Sequence, residues 1–142
     1  MEHQEYNEKV AWMKRYKLAR IAERRLRERL CEARSKSFGV SAMPGARCQT
    51  MRGQSGVERA AERIVRAESE LTEQTERRKR LYAETMRAIV RLDDENQRRI
   101  LKCRYIGGMR MEEIAERMGI SLRHTKRIHR NAIHALDMSP SM

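Results

Sequence analysis

Six residues spaced seven apart, Val57, Ile64, Leu71, Arg78, Thr85 and Leu92, run through the middle of the chain. Ala60/Ala61, Ala67, Gln74/Thr75, Leu81/Tyr82 and Ala88/Ile89 fall between them. A repeat of this kind lays a stripe along one side of an α-helix, and the stripe needs a second helix to cover it. The covering helix is available upstream. Residues 4–34 hold no proline or glycine and are rich in Arg, Glu, Leu and Ala, so they read as a second long helix. Tyr6, Val10 and Met13 start its apolar stripe, and Leu18, Ile21, Ala22, Leu26 and Leu30 continue it with drift.

Between these helices lies Ser35–Gly56, with four Gly, one Pro and four Ser and no periodicity, which reads as a flexible linker. Ser55 or Gly56 is the expected N-cap of the second helix. An intrachain antiparallel hairpin and an intermolecular coiled coil are both compatible with the seams. The polar position Arg78 could set register in either.

The composition supports thin helical packing. Charged residues make up 37% and hydrophobic residues 39%, with one Phe and one Trp, too polar for a thick core. No apolar run could span a membrane, and the N-terminus has no apolar signal core, so a cytoplasmic protein is expected. The net charge of +12 points to an anionic partner, most often nucleic acid. The charge is clustered: residues 14–29 hold eight Lys/Arg and two Glu, residues 77–80 read R-R-K-R, and residues 117–130 hold five Lys/Arg and no acid. A membrane surface is a poorer fit, because interfacial helices pair such charge with bulky apolar faces.

No catalytic constellation is present: no Gly-rich phosphate loop, no carboxylate pair beside a histidine and no Ser-His-Asp grouping. The chain is expected not to be an enzyme and to need no cofactor. Cys31, Cys48 and Cys103 are far apart and odd in number, which argues against a disulfide framework or a zinc site. His124, His129 and His134 are five apart, so successive rings sit about 140° apart on a helix and cannot share a metal; they read as surface or cap histidines. Glu112, Glu113 and Glu116 neighbour Arg110 and Arg117 and are not expected to bind one either.

The C-terminal third carries the sharpest pattern. Asp93 and Asp94 suit a helix start, residues 94–106 a helix with Ile100, Leu101, Cys103, Tyr105 and Ile106 as its apolar surface, and Gly107-Gly108 its end. Met111–Met118 is a short helix; Gly119-Ile120 is a turn, Ser121 an N-cap, and 122–136 the last helix. Two helices joined by a glycine-containing turn form a helix-turn-helix. Thr125, Ile128, Ala132 and Leu136 (or Ala135) would face inward, with the Thr125 hydroxyl bonded to the carbonyl four residues back. That leaves Arg123, His124, Lys126, Arg127 and Arg130 outward as a positive rod suited to a major groove, with Ser121 and the helix N-terminus suited to a phosphate.

Secondary readings belong beside these. Arg117 either touches a phosphate or pairs with Glu113, and Arg104 is expected to bridge to Glu112 or Glu113. Met109, Met111 and Met118 read as core, and R-R-K-R at 77–80 as a solvated face with a second DNA or polymerase contact as the alternative.

The run L-D-D-E-N-Q-R-R-I-L-K-C-R-Y-I-G-G-M-R-M-E-E-I-A-E-R-M-G-I-S-L-R-H-T-K-R-I-H-R-N-A-I-H-A-L resembles region 4 of sigma-70-type factors, through Arg104–Gly108, Glu112–Ala115, Gly119–Ser121 and Lys126–His129. With the long helices, the whole chain resembles phage-encoded late transcription regulators of the ArpU/RinA type. The resemblance implies base reading at Leu122, Arg123 and Arg127 and phosphate contact at His124 and Lys126. It places Arg130 and Asn131 near a surface that can also touch partner proteins. Thr125 stands where the family usually has an aliphatic residue. The chain lacks the length and the aromatic residues that a complete sigma factor uses to melt a promoter.

The expected architecture is all-α: a long-helix hairpin or coiled-coil region over 1–92, with the linker at 35–56, then a three-helix, helix-turn-helix domain over 93–138. The expected function is sequence-specific binding of double-stranded DNA in transcription regulation, as a homodimer or higher oligomer with RNA polymerase as a further partner. Two alternatives stay open: a phage DNA-packaging, small-terminase-like subunit, and a helical adaptor that binds polymerase without reading DNA sequence.

Overall fold

The computed structural model describes residues 1–41 and 50–140, with side chains described for 1–36 and 56–140. The described residues are all-α. The elements are α1 (Glu2–Ser41), α2 (Thr50–Val90), α3 (Glu95–Leu101) continuing into a π-helical turn (Lys102–Ile106), α4 (Met111–Met118) and α5 (Leu122–Ala135). The long helices run further than their composition suggests. α1 reaches Ser41 and α2 begins at Thr50, so Ser55 and Gly56 lie inside α2 rather than capping it. The sequence-predicted linker is thus helical at both ends, and its centre, 42–49, lies outside the described residues. Once a long helix is nucleated, each further residue adds a hydrogen bond, which outweighs one glycine's cost of about 1 kcal/mol.

The chain divides into two compact units, Met1–Arg20 with Arg78–Met142, and Ile21–Arg77. In the first, the ends of both long helices pack with the C-terminal helices. Met13 of α1, Ala88, Ile89 and Leu92, Leu101 and Tyr105, and Ala132, Ile133 and Leu136 form one core cluster. The sequence boundary at 92/93 separates residues that this core joins. Tyr16, Ala19 and Leu81 form a second cluster, with Ile106 against it. α1 and α2 run antiparallel here: Arg15 pairs with Glu84 at 3.0 Å, and the Tyr16 and Tyr82 rings lie 5.4 Å apart, tilted. In the second unit Arg34 of α1 pairs with Glu68 of α2 at 2.8 Å. Both sets of contacts are intrachain.

The inward face of α1 holds the predicted stripe except at Leu18, and it is wider than predicted. Leu18 is 63% exposed. The other seven residues of that stripe are buried or half-buried, and Lys9, Trp12, Tyr16, Ala19, Glu23 and Ala33 turn inward beside them. The polar residues on this face are paired: Lys9 with Glu5 at 3.2 Å, and the buried Glu23 with Arg27 at 2.7 Å. On α2 the predicted seam is the inward one, except that Val57, Ala61 and Tyr82 are exposed.

Candidate nucleic-acid interface

Each segment of the C-terminal module is bounded by a residue whose chemistry stops or starts a helix. The Asp94 carboxylate accepts from the Asn96 and Gln97 N–H groups at the start of α3. At the π-helical turn the Gly107 N–H donates to the Lys102 carbonyl at 3.0 Å. A Cβ on Gly107 would sit 2.8 Å from the Cys103 carbonyl oxygen, so the tight backbone approach itself requires glycine there. Gly119 ends α4 with φ +67°, the left-handed conformation a C-terminal glycine supplies. Ser121 Oγ then accepts from the His124 N–H at 3.1 Å and starts α5.

α5 packs on α3 and α4 through Thr125, Ala132, Ile133 and Leu136, all buried. Ile133 belongs to this face, Ile128 is half-buried and Ala135 is exposed, a small rotation from the predicted stripe. The Thr125 hydroxyl donates to the Ser121 carbonyl at 2.9 Å, four residues back as predicted, so a polar group sits in the core fully satisfied.

His129 departs from its reading as a surface histidine. It is half-buried on the side of α5 that faces Tyr105 and shares a 2.8 Å hydrogen bond with the Tyr105 hydroxyl, its ring stacked at 5.7 Å. Burial, then the nearby Arg104 guanidinium, pushes its pKa down to about 4, so the ring is neutral at neutral pH. Burial likewise pushes Tyr105 up to about 12. The pair ties the π-helical turn to the middle of α5. Residues 24 apart carry no periodic signal, so packing alone reveals it.

The outer face of α5 presents the charge. Ser121, Arg123, His124, Lys126, Arg127 and Arg130 line one open concave surface. Two of the eight sequence-predicted contact residues stand outside it: Leu122 is half-buried, and Arg117 lies on α4. Arg127 Nη2 and His124 Nδ1 are 2.7 Å apart. A guanidinium has five N–H donors, so this contact leaves most of them available. The competing pairings are also resolved. Glu113 is held by Arg110 at 2.7 Å, while Arg117 reaches the Met109 sulfur at 3.7 Å. Arg104 donates to the Met109 carbonyl at 3.0 Å instead of bridging to Glu112 or Glu113. Met109, Met111 and Met118 are half-buried rather than core.

The far end of α5 is anchored by α1. Lys9 Nζ donates to the His134 carbonyl at 3.0 Å, and the Tyr6 and His134 rings lie 5.3 Å apart. A cation at the carbonyl end complements the helix dipole. Among the described residues no group of three or more His, Cys, Asp or Glu could hold a metal ion. Among them, too, no helix is long and apolar enough to cross a membrane.

No curated protein and no solved structure matches the chain. Residues 88–137 match the family model described as Sigma-70, region 4. That span runs from the last turn of α2 to the end of α5, so the match covers the module built above. In sequence, residues 88–137 are similar to sigma-70 region 4, a DNA-binding helix-turn-helix.

Proposed function

We propose that this protein is a sequence-specific transcription regulator that binds duplex DNA through α5. The observation that carries the reading is the concave surface of Arg123, Lys126, Arg127 and Arg130 on a helix fixed by its cap and its buried inner face. Arg123 and Arg127, four residues apart on that surface, are the base readers; a bidentate arginine on guanine discriminates by about 1–3 kcal/mol. Ser121, His124 and Lys126 hold phosphates, with the N-terminal N–H groups of α5 and with Arg130 and Arg117 at the margins. Leu122 offers an apolar contact to a base edge.

The protein acts by binding and not by catalysis, in the cytoplasm, as a dimer, and contacts RNA polymerase as well as DNA. The long helices together with a region 4-like module favour the phage late-regulator type over a packaging subunit or a pure adaptor. Selection from random duplex DNA at about 0.15 M salt, which screens weak surface charge, tests this. Wild type should enrich a motif and Arg123→Ala/Arg127→Ala should lose it; an inverted repeat would support the dimer. Folded wild-type protein that enriches nothing would remove the reading.

A further inference from the structure

The α5 surface uses only part of the positive charge. Between Lys9 and Ala22, α1 carries five Lys/Arg and no carboxylate. Two are committed to the fold. Lys9 binds Glu5 and the His134 carbonyl. Arg15 binds Glu84 and the Trp12 carbonyl and stacks on the Trp12 ring at 4.3 Å.

Lys14 and Lys17 are exposed and pair with no carboxylate among the described residues. With Arg20 they form a row of like charges one turn apart, an arrangement that costs a helix a few tenths of a kcal/mol per pair unless an anion sits against it. The row has a defined end. Arg20 Nη1 lies 3.5 Å from the Ile106 carbonyl, at the turn that leads into α4. In a helix-turn-helix the first helix crosses the DNA backbone. The row therefore adjoins the element that meets phosphates beside the groove, and all of it belongs to the same compact unit as α5.

The geometry points to a second nucleic-acid contact, in which Lys14 and Lys17, continued by Arg20, bind backbone phosphates of duplex flanking the site read by α5. This rests on the DNA-binding reading above. Lys14 to Arg20 spans about 9 Å of helix axis, the span of two to three phosphates of one strand at about 3.4 Å each. Contacts of this kind add affinity and salt dependence without sequence information.

The test compares wild type, Lys14→Gln/Lys17→Gln, and a control of equal charge loss, Arg59→Gln/Arg63→Gln, whose residues are exposed on α2 in the other unit. All four side chains are exposed, so circular dichroism and Tm should match wild type. Affinity for duplex carrying the selected site is measured against salt, with flanks present and with flanks trimmed.

With flanks, the plot of log affinity against log salt should lose about 1.8 of its slope in the α1 double variant, about 0.9 per phosphate contact, and stay unchanged in the control. On trimmed duplex the α1 variant and wild type should have equal slopes. An unchanged slope on flanked duplex overturns the contact. Equal loss in the control also overturns it, because net charge then explains the effect. Wild type without affinity for any duplex overturns the DNA-binding reading itself, and the second contact with it.

Discussion

The seam of α2 is one continuous sevenfold pattern, yet its two halves have different fates. From Leu81 to Leu92 the inward residues are buried, with Thr85 at 0% and Ile89 at 1% exposure. From Ala60 to Thr75 they are only half-buried. The difference lies in the neighbours. The first half packs in a unit where α1, α3 and α5 also contribute to the core; the second lies in a unit built from α1 and α2 alone. Two helices cannot enclose their shared seam, because each leaves the edges of its stripe in water. A heptad pattern therefore specifies direction, and the number of layers decides burial and the energy obtained from it.

The largest effect that would break this comparison is a cavity. Ile89→Ala should destabilise by about 2–5 kcal/mol, whereas Ile64→Ala, at a half-buried position of the other half of the seam, should cost well under half of that. Chemical denaturation of both variants would decide; equal losses would show that the two halves are packed alike.

The pH dependence should also be confined to the first unit. His129 has a folded pKa of about 4 against about 6.5 unfolded, so the unfolded state binds more protons in between. Its contribution is fully present above about pH 6.5 and is lost as pH falls through 4. Discounted for partial exposure of the ring, the loss is about 1–2 kcal/mol. Tm measured from pH 7.5 to 4.5 should fall less in His129→Gln than in wild type, and parallel curves would contradict this.

Two glycines should answer in opposite directions. Gly119→Ala forces a Cβ into the left-handed conformation and should cost about 1–2 kcal/mol. Gly56 sits inside α2 with open space around it, so Gly56→Ala should stabilise by up to about 1 kcal/mol. Thermal melts of both give the signs. The smallest effect is at Thr85, whose buried hydroxyl has no hydrogen-bond partner among the described residues. Thr85→Val should be neutral or stabilising by about 1 kcal/mol, because it removes an unsatisfied group and keeps the shape. A clear loss would mean the hydroxyl is satisfied in solution.

What could be read in advance follows the range of the interactions. Asp94, Gly119 and Ser121 act on backbone within three or four residues, so the helix-turn-helix boundaries and the Thr125 hydroxyl bond were legible. The gathering of six basic and capping residues on α5 follows from one helix's periodicity and was legible too. On α1 only Leu18 of the predicted stripe faces water, but the inward places of Lys9 and Glu23 were not legible, because those residues carry no apolar signal. Neither were the Tyr105–His129 pair and the turn of Arg104 toward Met109, which depend on where a π-helical turn places its side chains. The helical reach of α1 and α2 into the Gly/Ser-rich stretch reflects propagation from outside it.

The proposed regulation depends most on α5 reading base sequence and not merely attracting phosphate. The direct measurement is the ratio of affinities for the selected site and for random duplex, for wild type and Arg127→Ala at about 0.15 M salt. The expected result is a loss of about 1–3 kcal/mol on the selected site and a clearly smaller loss on random duplex, so the ratio collapses. Equal losses on both would show that Arg127 contributes charge alone and would contradict the reading role assigned to α5.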